Sequence, residues 1–380
     1  MSSNIENCRK EIDTIDSEIL KLFNRRMEIS GEIGKYKEEN NLPITNIERE
    51  KEILLKAVKK IDGKFSTSAR ILFSTLMELS KSYQRRNRKK NMDFANSLEE
   101  ALKNTPPAFP QHARVACCGV PGAYAQLAAD RLFQLTDIMY FNDFAGVFQA
   151  VEKNLCEYGV LPVENSTSGT INQVYDLMLD HKFYIVRSIR LRVRHCLLAA
   201  PGVKLGDIKE VVSHEQGLKQ CSVYLGKNLP KAKLSTAAST AMAAKMVAES
   251  GRKDIAAIAS TECGDIYNLS PLEDNLQNRE ANYTRFICIS RKPEIYPGAD
   301  KISIMGLLPH RPGSLYSLLA RFSVLGVNLT KLESRPRRGE DFEYMFYFDF
   351  ASSVADPEVR LLLSELFEEK FTFLGNYSEQ

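Results

Sequence analysis

The chain has 380 residues, of which 44% are hydrophobic and 26% are charged, and its formal net charge is only +3. A chain of this length is expected to fold as roughly two to four domains. So small a net charge, without a basic face interleaved with aromatic side chains, argues against a nucleic-acid partner. No apolar run is long enough to span a bilayer, and the start of the chain, Met1-Ser-Ser-Asn4, begins no apolar signal segment. We therefore predict a cytoplasmic protein with no membrane partner.

The first predicted element is one long helix. Apolar residues recur at alternating steps of three and four from Ile5 to Tyr36, which is the heptad pattern of a helix that packs against another helix. Residues 4 to 39 at 1.5 Å per residue would span roughly 54 Å, whereas a compact domain over residues 1–90 is only about 30 Å across. Such a helix cannot be buried by its own domain. The pattern therefore predicts an intertwined helical homodimer or a higher homo-oligomer.

One position of this apolar stripe carries a cation, Arg26. A guanidinium there costs several kcal/mol unless an anion or a carboxylate meets it. Lys37 lies about 20° around the helix from Arg26 and faces the same way. Arg9 lies roughly 25 Å from Arg26 along the helix axis, so only an antiparallel partner chain could bring it to the same small ligand. These cations predict an anion site, and a buried Arg–Glu pair that specifies dimer register is the alternative.

Two shorter helices are predicted after Pro43. Asn46 is placed to cap the first of them, and the second runs from about Ser66 to Arg86. Polar side chains on these helices are candidates for the same site: Arg49 and Glu50 on the first, and Ser80 and Gln84 on one face of the second.

With these residues, positions 1–90 closely resemble the all-helical chorismate mutase family. The resemblance implies that the arginines hold the two carboxylates of chorismate, with Arg9 supplied by the other chain, and that Lys37 and Gln84 are the catalytic residues at the ether oxygen. The rearrangement to prephenate is pericyclic, so a cationic cage need only hold the compact conformer and stabilise charge on the breaking C–O bond. The family often has aspartate at the position of Asn46, which predicts a changed affinity with activity retained. The residues implied to bind chorismate are Arg9, Arg26, Lys37, Asn46, Arg49, Glu50, Ser80 and Gln84.

The helical periodicity ends after the third helix. Residues 87–112 include the proline-rich run Asn104-Thr-Pro-Pro-Ala-Phe-Pro110. We predict a linker over residues 91–112, with a short helix at Asn96 to Lys103.

The central region repeats the order strand, polar loop, helix. The apolar run Tyr158 to Val163 ends in the loop Glu164 to Thr170, and an amphipathic helix pattern begins at Ile171. Such a loop directs free N–H groups into a pocket beside a helix N-terminus, which predicts an anion site, with an ordinary capped turn as the alternative. Because similar units recur on both sides of this one, we expect an open α/β sheet whose ligand lies in a cleft.

The polar loops of residues 113–292 resemble those of prephenate dehydratase. The motifs that carry the resemblance are Gly119-Val-Pro-Gly-Ala-Tyr124, Glu164-Asn-Ser-Thr-Ser-Gly169, Ser213-His-Glu-Gln216, Ser239-Thr-Ala241 and Asn282-Tyr-Thr-Arg-Phe286. The resemblance implies two α/β subdomains around a cleft, similar to periplasmic binding proteins. Glu215 stands where the family usually has proline, and we expect the function to be retained.

Prephenate loses carbon dioxide and a ring hydroxyl together and becomes phenylpyruvate, so the enzyme must protonate a departing hydroxide. The resemblance implies that Thr284 is the catalytic residue, with its hydroxyl polarised by neighbours such as Glu164 or His214. Each polar loop residue could instead be a local cap. No metal-ligand spacing and no dinucleotide fingerprint occurs in the sequence. We therefore predict that the protein uses no metal and no cofactor. The residues implied to bind prephenate are Glu164, Asn165, Ser166, Thr170, Gln216, Ser239, Thr240, Arg285 and Phe286.

The last region, residues 301–380, is predicted to have the order β–α–β–β–α–β, which is ferredoxin-like. Phenylalanines alternate along the expected strand Phe342 to Phe350, as on the core face of a strand. Two motifs, Pro309-His-Arg-Pro-Gly-Ser-Leu-Tyr316 and Glu333-Ser-Arg-Pro336, resemble the ACT regulatory domain of these dehydratases. In that domain they bind phenylalanine at a dimer interface, and Ser314 stands where alanine is commoner. The implied effector residues are Gly313, Ser314, Leu315, Glu333, Ser334, Arg335 and Pro336.

Together, these resemblances indicate a bifunctional chorismate mutase/prephenate dehydratase that is inhibited by phenylalanine. The expected fold is multidomain: an all-α intertwined helical dimer domain (1–90), the linker (91–112), a two-subdomain α/β cleft domain (113–292) and an α+β ferredoxin-like ACT domain (301–380). One alternative is a monofunctional prephenate or arogenate dehydratase with a structural helical dimerisation domain. Another is a non-catalytic sensor of an aromatic acid.

Overall fold

The computed structural model describes residues 2–279, 281–310, 312–336 and 344–380. Contacts divide the chain into two compact units, Met1–Lys103 with Ile304–Phe373 and Asn104–Ser303 with Leu374–Gln380. The chain therefore returns to its first unit after completing most of the second, and it ends in the second. Among the described residues, no helix is both long and apolar enough to cross a membrane.

The chain begins with four helices: α1 Ser2–Glu39, α2 Ile47–Lys59, α3 Ser66–Arg86 and α4 Lys89–Asn104. The prediction of one long helix is confirmed, because α1 runs without a break for 38 residues. The predicted cap of α2 is also confirmed, since the Asn46 side chain accepts a hydrogen bond from the Arg49 N–H at 3.0 Å. The bounds of α3 are the predicted ones.

The prediction of a linker was wrong for residues 91–95 and for Asn104, whereas the short helix predicted at Asn96 to Lys103 is confirmed as part of a longer helix. Helix α4 starts at Lys89 and has 16 residues. Contacts distant in sequence stabilise its first turns: Phe94 stacks on Phe367 with ring centroids 4.4 Å apart, and the buried Asn91 side chain donates to the Glu368 carboxylate at 3.0 Å. Helices of this length are held mainly by tertiary packing, which local periodicity does not reveal.

The second unit alternates strands and helices. Its strands are β1 His112–Cys118, β2 Leu135–Phe141, β3 Tyr158–Asn165, β4 Gly169–Thr170, β5 Tyr184–Arg192, β6 Cys196–Ala199, β7 Glu210–Ser213, β8 Lys233–Thr236, β9 Ile255–Ala259, β10 Ser270–Glu273 and β11 Tyr283–Ser290. Its helices are α5 Tyr124–Leu132, α6 Phe144–Glu152, α7 Asn172–Leu177, α8 Glu215–Gln220, α9 Ser222–Asn228, α10 Thr240–Ser250 and α11 Glu262–Tyr267.

These strands form two sheets. In the first, β1 pairs in parallel with β2 and β3, whereas β11 lies antiparallel between β3 and β5. The second has the order β10-β6-β9-β7-β8, and apolar side chains are buried on both of its faces. The chain crosses from the first sheet to the second after β5 and returns before β11. The prediction of an α/β unit with two subdomains is confirmed, while its similarity to periplasmic binding proteins stays a prediction.

The C-terminal region has the predicted order of elements. It consists of β12 Lys301–Leu307, α12 Ser314–Val324, β13 Asn328–Pro336, β14 Tyr344–Ala351, α13 Pro357–Glu368 and β15 Phe371–Glu379. Phe348 and Phe350 of β14 are fully buried and Phe350 contacts Phe322 of α12, which confirms that these phenylalanines belong to the core. Phe342 and Arg311, which the sequence placed in a strand and in a motif, lie outside the described residues.

The end of β15 is part of the second unit. Ser378 pairs in parallel with Arg187 of β5. Glu379 pairs with Arg285 at 2.9 Å, with Lys301 at 2.9 Å and with Arg190 at 2.7 Å. Burial opposes ionisation of Glu379, but the hydrogen bond from Lys301 and the charges around it outweigh burial and hold the pKa of this carboxyl below its usual value.

We expect Gly375→Ala to destabilise the second unit strongly. Gly375 lies in β15 at a φ of 155°, and an added Cβ would lie 2.1 Å from the carbonyl oxygen of Ile185 in β5, a backbone atom that cannot easily move. Overpacking of this kind costs about 3 kcal/mol. Gly298→Ala is the matched control, because its φ of 83° is also positive while no atom lies within 4 Å of the added Cβ, leaving a backbone cost of about 1–2 kcal/mol.

Hydrogen exchange of the β5 amides under native conditions measures this difference, since β5 neighbours the clash. Equal losses of protection in the two variants would contradict the close packing of β15 on β5.

Candidate active sites

Arg26, the cation of the apolar stripe, belongs to α1, and its guanidinium contacts α3. Its Nη1 donates to the Leu76 carbonyl oxygen at 2.7 Å and to the Ser80 hydroxyl, and burial lowers the pKa of its guanidinium. No carboxylate pairs with Arg26 among the described residues. An Arg–Glu pair within the chain is therefore not found there, and the uncompensated charge favours an anionic ligand.

Gln84 forms the polar wall beside Arg26. Its residue is 7% exposed, its Nε2 donates to the Ser30 hydroxyl at 2.9 Å, and its Oε1 has no partner in the described part of the chain. The Ser30 hydroxyl donates to the Ser80 carbonyl oxygen at 3.3 Å. If it turned to donate to the amide oxygen of a Gln84 rotated by about 180°, Nε2 would be free for a ligand oxygen. The structure thus brings Arg26, Ser80 and Gln84 together. It adds Ser30, which sequence reasoning missed although it follows Arg26 by one helical turn.

A second group of charges surrounds Lys37. Its Nζ donates to the Ile44 carbonyl oxygen at 2.5 Å. Burial and the charges of Arg88 and Lys81 lower the pKa of Lys37, while Glu50 acts in the opposite direction. Glu50 pairs with Lys81 at 3.0 Å, so it balances a lysine that is only 5% exposed. Sequence reasoning did not single out Lys81, because nothing local distinguishes it from the exposed lysines nearby.

The other predicted chorismate ligands make no direct bond to Arg26 or Lys37 among the contacts of the described residues. Arg9 is exposed on α1, where only a partner chain could bring it to Arg26. Arg49 is exposed and pairs with Glu52 at 2.5 Å, and Asn46 uses its side chain as a helix cap. Within one chain, the geometry therefore gives no support to direct roles for Arg49 and Asn46.

In the second unit, Thr284 and Asn165 form a cross-strand pair between β11 and β3. Asn165 Nδ2 donates to Thr284 Oγ1 at 2.9 Å. The orientation of this amide is determined, because Asn165 Oδ1 accepts from the backbone N–H groups of Thr167 and Ser168 at 2.9 and 2.8 Å. Thr284 Oγ1 is therefore an acceptor in this bond, and its own proton is left to donate elsewhere.

The predicted anion-binding loop was wrong in its details. Strand β3 extends to Asn165, and Gly169 and Thr170 fold back on it as β4, so the segment is a hairpin. The N–H groups of Thr167 and Ser168 bond to Asn165, and that of Ser166 bonds to the Tyr283 carbonyl oxygen at 2.8 Å. None of these three N–H groups is free for a ligand, and those of Thr167 and Ser168 orient Asn165 instead.

Several other predicted ligands have structural partners. Arg285 pairs with Glu379, and Phe286 is 2% exposed in the hydrophobic core beneath the first sheet. The roles of Arg285 and Phe286 as prephenate ligands stay predictions. Ser239 caps α10 by accepting from the Met242 N–H at 3.0 Å.

The remaining predicted ligands stay near strand or helix ends. Glu164 and Thr170 face each other across the β3–β4 hairpin, and Thr240 is the first residue of α10. Gln216 is exposed, and its N–H donates to His214 Nδ1 at 3.2 Å. Ser166 Oγ accepts from the Tyr283 N–H at 2.9 Å, close to Thr284 in sequence. Their roles as ligands stay predictions.

A cavity of about 880 Å³ lies within the first unit, and part of the predicted effector motif lines it. Ser314 and Leu315 contribute to the wall from the first turn of α12, together with Glu78 and Arg85 of α3. Gly313 precedes this turn at a φ of 85°. The second motif, Glu333 to Pro336, lies in β13 and pairs with β14, and it does not line the cavity.

Comparisons with known proteins identify two families in this chain. The prephenate dehydratase family model matches residues 115–294, and the chorismate mutase type II family model matches residues 8–85. Arogenate dehydratase/prephenate dehydratase 1 of Arabidopsis thaliana is 42% identical over 283 residues, covering 70% of this chain and 71% of that protein. Arogenate dehydratase 2 of Petunia hybrida is 40% identical over 286 residues, with the same coverage of 70% and 71%.

Solved structures are similar as well. The prephenate dehydratase from Arthrobacter aurescens in complex with L-Phe is 27% identical with a TM-score of 0.64, covering 70% of this chain and 90% of that chain. A protein described as the quorum-quenching acylase GqqA is 30% identical with a TM-score of 0.63, covering 70% and 98%. From these similarities and the two family matches, the chain belongs to the prephenate/arogenate dehydratase family and carries a chorismate mutase type II domain before its dehydratase domain.

Proposed function

We propose that the chain is bifunctional, converting chorismate to prephenate among helices α1–α3 and prephenate to phenylpyruvate at Thr284. The observation that carries the dehydratase mechanism is the hydrogen bond from Asn165 to Thr284, because it leaves the Thr284 proton free. Arg26 supports the mutase step, since it is a partly buried cation without a carboxylate partner among the described residues.

The dehydratase reaction breaks two bonds. The C–C bond to the ring carboxylate breaks, carbon dioxide leaves, and the electron pair of that bond moves into the ring. The ring becomes aromatic as the C–O bond to the ring hydroxyl breaks. The departing hydroxide takes up a proton, which the solvent supplies, and leaves as water. Thr284 donates a hydrogen bond to that oxygen as negative charge develops on it, which stabilises the transition state more than the substrate.

The mutase reaction needs no proton transfer. Arg26 has donors left after its bonds to Leu76 and Ser80, and these can hold a substrate carboxylate. Gln84 can present Nε2 to the ether oxygen after its amide rotates. Lys37 supplies a second cation close to this helical site. The cage holds the compact conformer and stabilises charge on the breaking bond.

Prephenate is the substrate that we propose for the dehydratase. The names of the Arabidopsis and Petunia relatives include both arogenate and prephenate dehydratase, so family membership alone does not choose between them. The mutase domain of the same chain favours prephenate, because prephenate is the product of chorismate rearrangement. A monofunctional arogenate dehydratase with a structural helical domain would convert no chorismate.

A homodimer built on α1 completes the proposed mutase site. Ile5, Ile12 and Ile19 lie on the apolar stripe of α1 and are 57%, 54% and 56% exposed, so their own chain does not cover them. A second copy can bury this stripe and bring its Arg9 to Arg26. The sequence prediction of an intertwined dimer is therefore retained as a proposal.

We also propose that residues 301–380 form an ACT regulatory domain that binds phenylalanine. The order β–α–β–β–α–β, the left-handed Gly313 before α12 and the cavity at Ser314 and Leu315 support this proposal. The Arthrobacter aurescens relative was solved in complex with L-Phe. Such a ligand can inhibit the dehydratase only by favouring a less competent conformation, with a coupling of about 1–3 kcal/mol.

Asn165→Asp should lower the kcat of prephenate dehydration by about 10²-fold. The new carboxylate still accepts from the Thr167 and Ser168 N–H groups, but its second oxygen accepts from Thr284 and withdraws that proton from the substrate. Thr284→Ser keeps the hydroxyl and should retain most of the turnover. Phenylpyruvate formation is the readout, and an unchanged kcat in Asn165→Asp would show that this hydrogen bond plays no part.

Arg26→Leu and Thr284→Val should remove different activities, because the two sites lie in different compact units. Arg26→Leu abolishes chorismate consumption and leaves prephenate dehydration near the wild-type rate. Thr284→Val lowers dehydration by about 10²-fold or more and leaves chorismate consumption intact. Arg25→Leu is the control, since Arg25 is the exposed neighbour of Arg26.

Both reactions are followed with purified full-length protein, by the loss of chorismate and the formation of phenylpyruvate. If the wild-type chain forms phenylpyruvate from prephenate but consumes no chorismate, the bifunctional proposal fails and the monofunctional dehydratase with a structural helical domain is supported. Loss of both activities in either folded variant would contradict separate sites.

Gly313→Ala should weaken inhibition by phenylalanine about tenfold or more, at unchanged basal dehydration. The alanine strains the turn at a φ of 85°, from which Ser314 and Leu315 enter the cavity. Gly326→Ala is the matched control, because it has a φ of 65°, equally open surroundings and a place just after the same helix. Undiminished inhibition of Gly313→Ala would place phenylalanine elsewhere, for example in the cleft as a competitor of the substrate.

Deleting residues 301–380 is not an equivalent test. The deletion would remove Glu379 from Arg285 and residues 374–380 from the second unit, so lost activity would not report on the effector site.

A further inference from the structure

A chain of polar side chains, buried except for the half-buried Gln220, continues from Asn165 away from Thr284. Asn165 Nδ2 also donates to Asn282 Oδ1 at 2.8 Å, Asn282 Nδ2 donates to Gln220 Oε1 at 3.1 Å, and Gln220 Oε1 lies 2.9 Å from His195 Nε2. Asn282 and His195 are only 1% and 2% exposed. We call Asn165, Asn282, Gln220 and His195 the crossing relay, because Asn282 and His195 lie on the two connections between the sheets.

The crossing relay has one hydrogen-bonded arrangement. The orientation of the Asn165 amide determines the orientations of the Asn282 and Gln220 amides and the tautomer of His195. Two backbone N–H groups hold Asn165 Oδ1 as an acceptor, so Asn165 Nδ2 must face the oxygen of Asn282. Asn282 then presents its Nδ2 to Gln220, which must answer with its oxygen Oε1. His195 Nε2 meets that same oxygen and must therefore carry a proton.

The arrangement also assigns the tautomer of His195. A neutral imidazole protonated at Nε2 has its lone pair on Nδ1, and Nδ1 is buried without a hydrogen-bond partner among the described residues. Burial lowers the pKa of His195, although the hydrogen bond with Gln220 opposes this effect. A second proton on Nδ1 would thus be buried without an acceptor.

The opposite tautomer would disturb each member of the relay. With Nε2 unprotonated, its lone pair would face the oxygen of Gln220. Turning the Gln220 amide would then set two donors against each other at Asn282, and turning Asn282 as well would set its Nδ2 against the Nδ2 of Asn165, which are again two donors. Asn165 cannot turn without losing both backbone N–H groups, and unmade buried hydrogen bonds are costly.

We propose that His195 is a positioning residue of the dehydratase, whose Nε2–H acts through Gln220 and Asn282 to hold Asn165 in the orientation that directs the Thr284 proton to the substrate. This role rests on the proposed function of Thr284. His195 itself does not contact Thr284, so it contributes to turnover and not to the chemistry of the leaving group.

The test compares two replacements of His195 in the full-length protein. His195→Leu removes the donor to Gln220 and should lower the kcat of prephenate dehydration roughly tenfold with little change in KM. His195→Gln can place an amide nitrogen near the position of Nε2, and it should restore kcat to within about twofold of wild type. His112→Leu is the control, because His112 is exposed at the start of β1, and it should leave kcat unchanged.

A double-mutant cycle separates positioning from a merely structural role. Added to Asn165→Asp, His195→Leu should cause no further loss of kcat, since the relay is already broken at Asn165. Additive losses would overturn the proposal, as would an unchanged kcat in His195→Leu alongside an impaired Thr284→Val. If Thr284→Val instead keeps full turnover, the proposed function of Thr284 fails, and that result is distinguishable from a failure of the relay.

A spectroscopic measurement keeps the proposal testable if His195→Leu does not fold. The chain has only 5 histidines, so protein labelled with ¹⁵N-histidine gives few ring signals to assign, and the signal absent from His195→Gln identifies His195. Wild-type protein at neutral pH should show His195 as the neutral Nε2–H tautomer. An Nδ1–H tautomer or an imidazolium would overturn the proposal.

Discussion

The antiparallel ladder between β3 and β11 is the constraint on which the dehydratase unit depends. It places Thr284 opposite Asn165, 119 residues earlier in the chain. Because β11 runs against β3, its first residues lie at the carboxyl end of β3, which is the edge where open α/β sheets bind ligands. The chain completes the second sheet before it returns as β11, so this pair joins two strands that the whole second sheet separates in sequence.

The same ladder accounts for the unusual polarity of this edge. Buried amides are expensive unless each donor and acceptor is matched, and here the hairpin after β3 supplies two backbone N–H groups to one amide oxygen. That short turn therefore determines the orientations of the Asn165, Asn282 and Gln220 amides. An anion pocket would have used the same N–H groups, and the structure shows that Asn165 uses them instead.

In the first unit, helix α3 connects the N-terminal helices with the C-terminal elements. One face carries Ser80 and Gln84 towards α1, and its last turn carries Arg85 and Arg86 towards the C-terminal elements. Arg85 pairs with Glu369 at 2.5 Å, and Arg86 pairs with Glu365, whose side chain is fully buried. Removing one member of such a pair leaves a buried charge, so the helices and the C-terminal elements of this unit depend on each other.

Much of the site was accessible from the sequence because its motifs are local. Thr284, Asn165, Arg26, Ser80 and Gln84 were all identified before the structure, and the structure brings each to a polar cluster. Ser30, Lys81, Asn282, Gln220 and His195 were not identified as members of these clusters. Each of these residues joins its cluster through partners that are distant in the chain, and the sequence does not show which distant residues come into contact.

By itself, the sequence determined the long helix α1, the cap at Asn46, the bounds of α3 and the order β–α–β–β–α–β, because periodicity and capping act over a few neighbouring residues. Only the tertiary structure decided that Lys89–Asn104 is one helix, that the segment after β3 is a hairpin and that the end of β15 joins the second unit. These outcomes depend on which distant segments can bury a surface or satisfy a charge, and that is settled only when the segments meet.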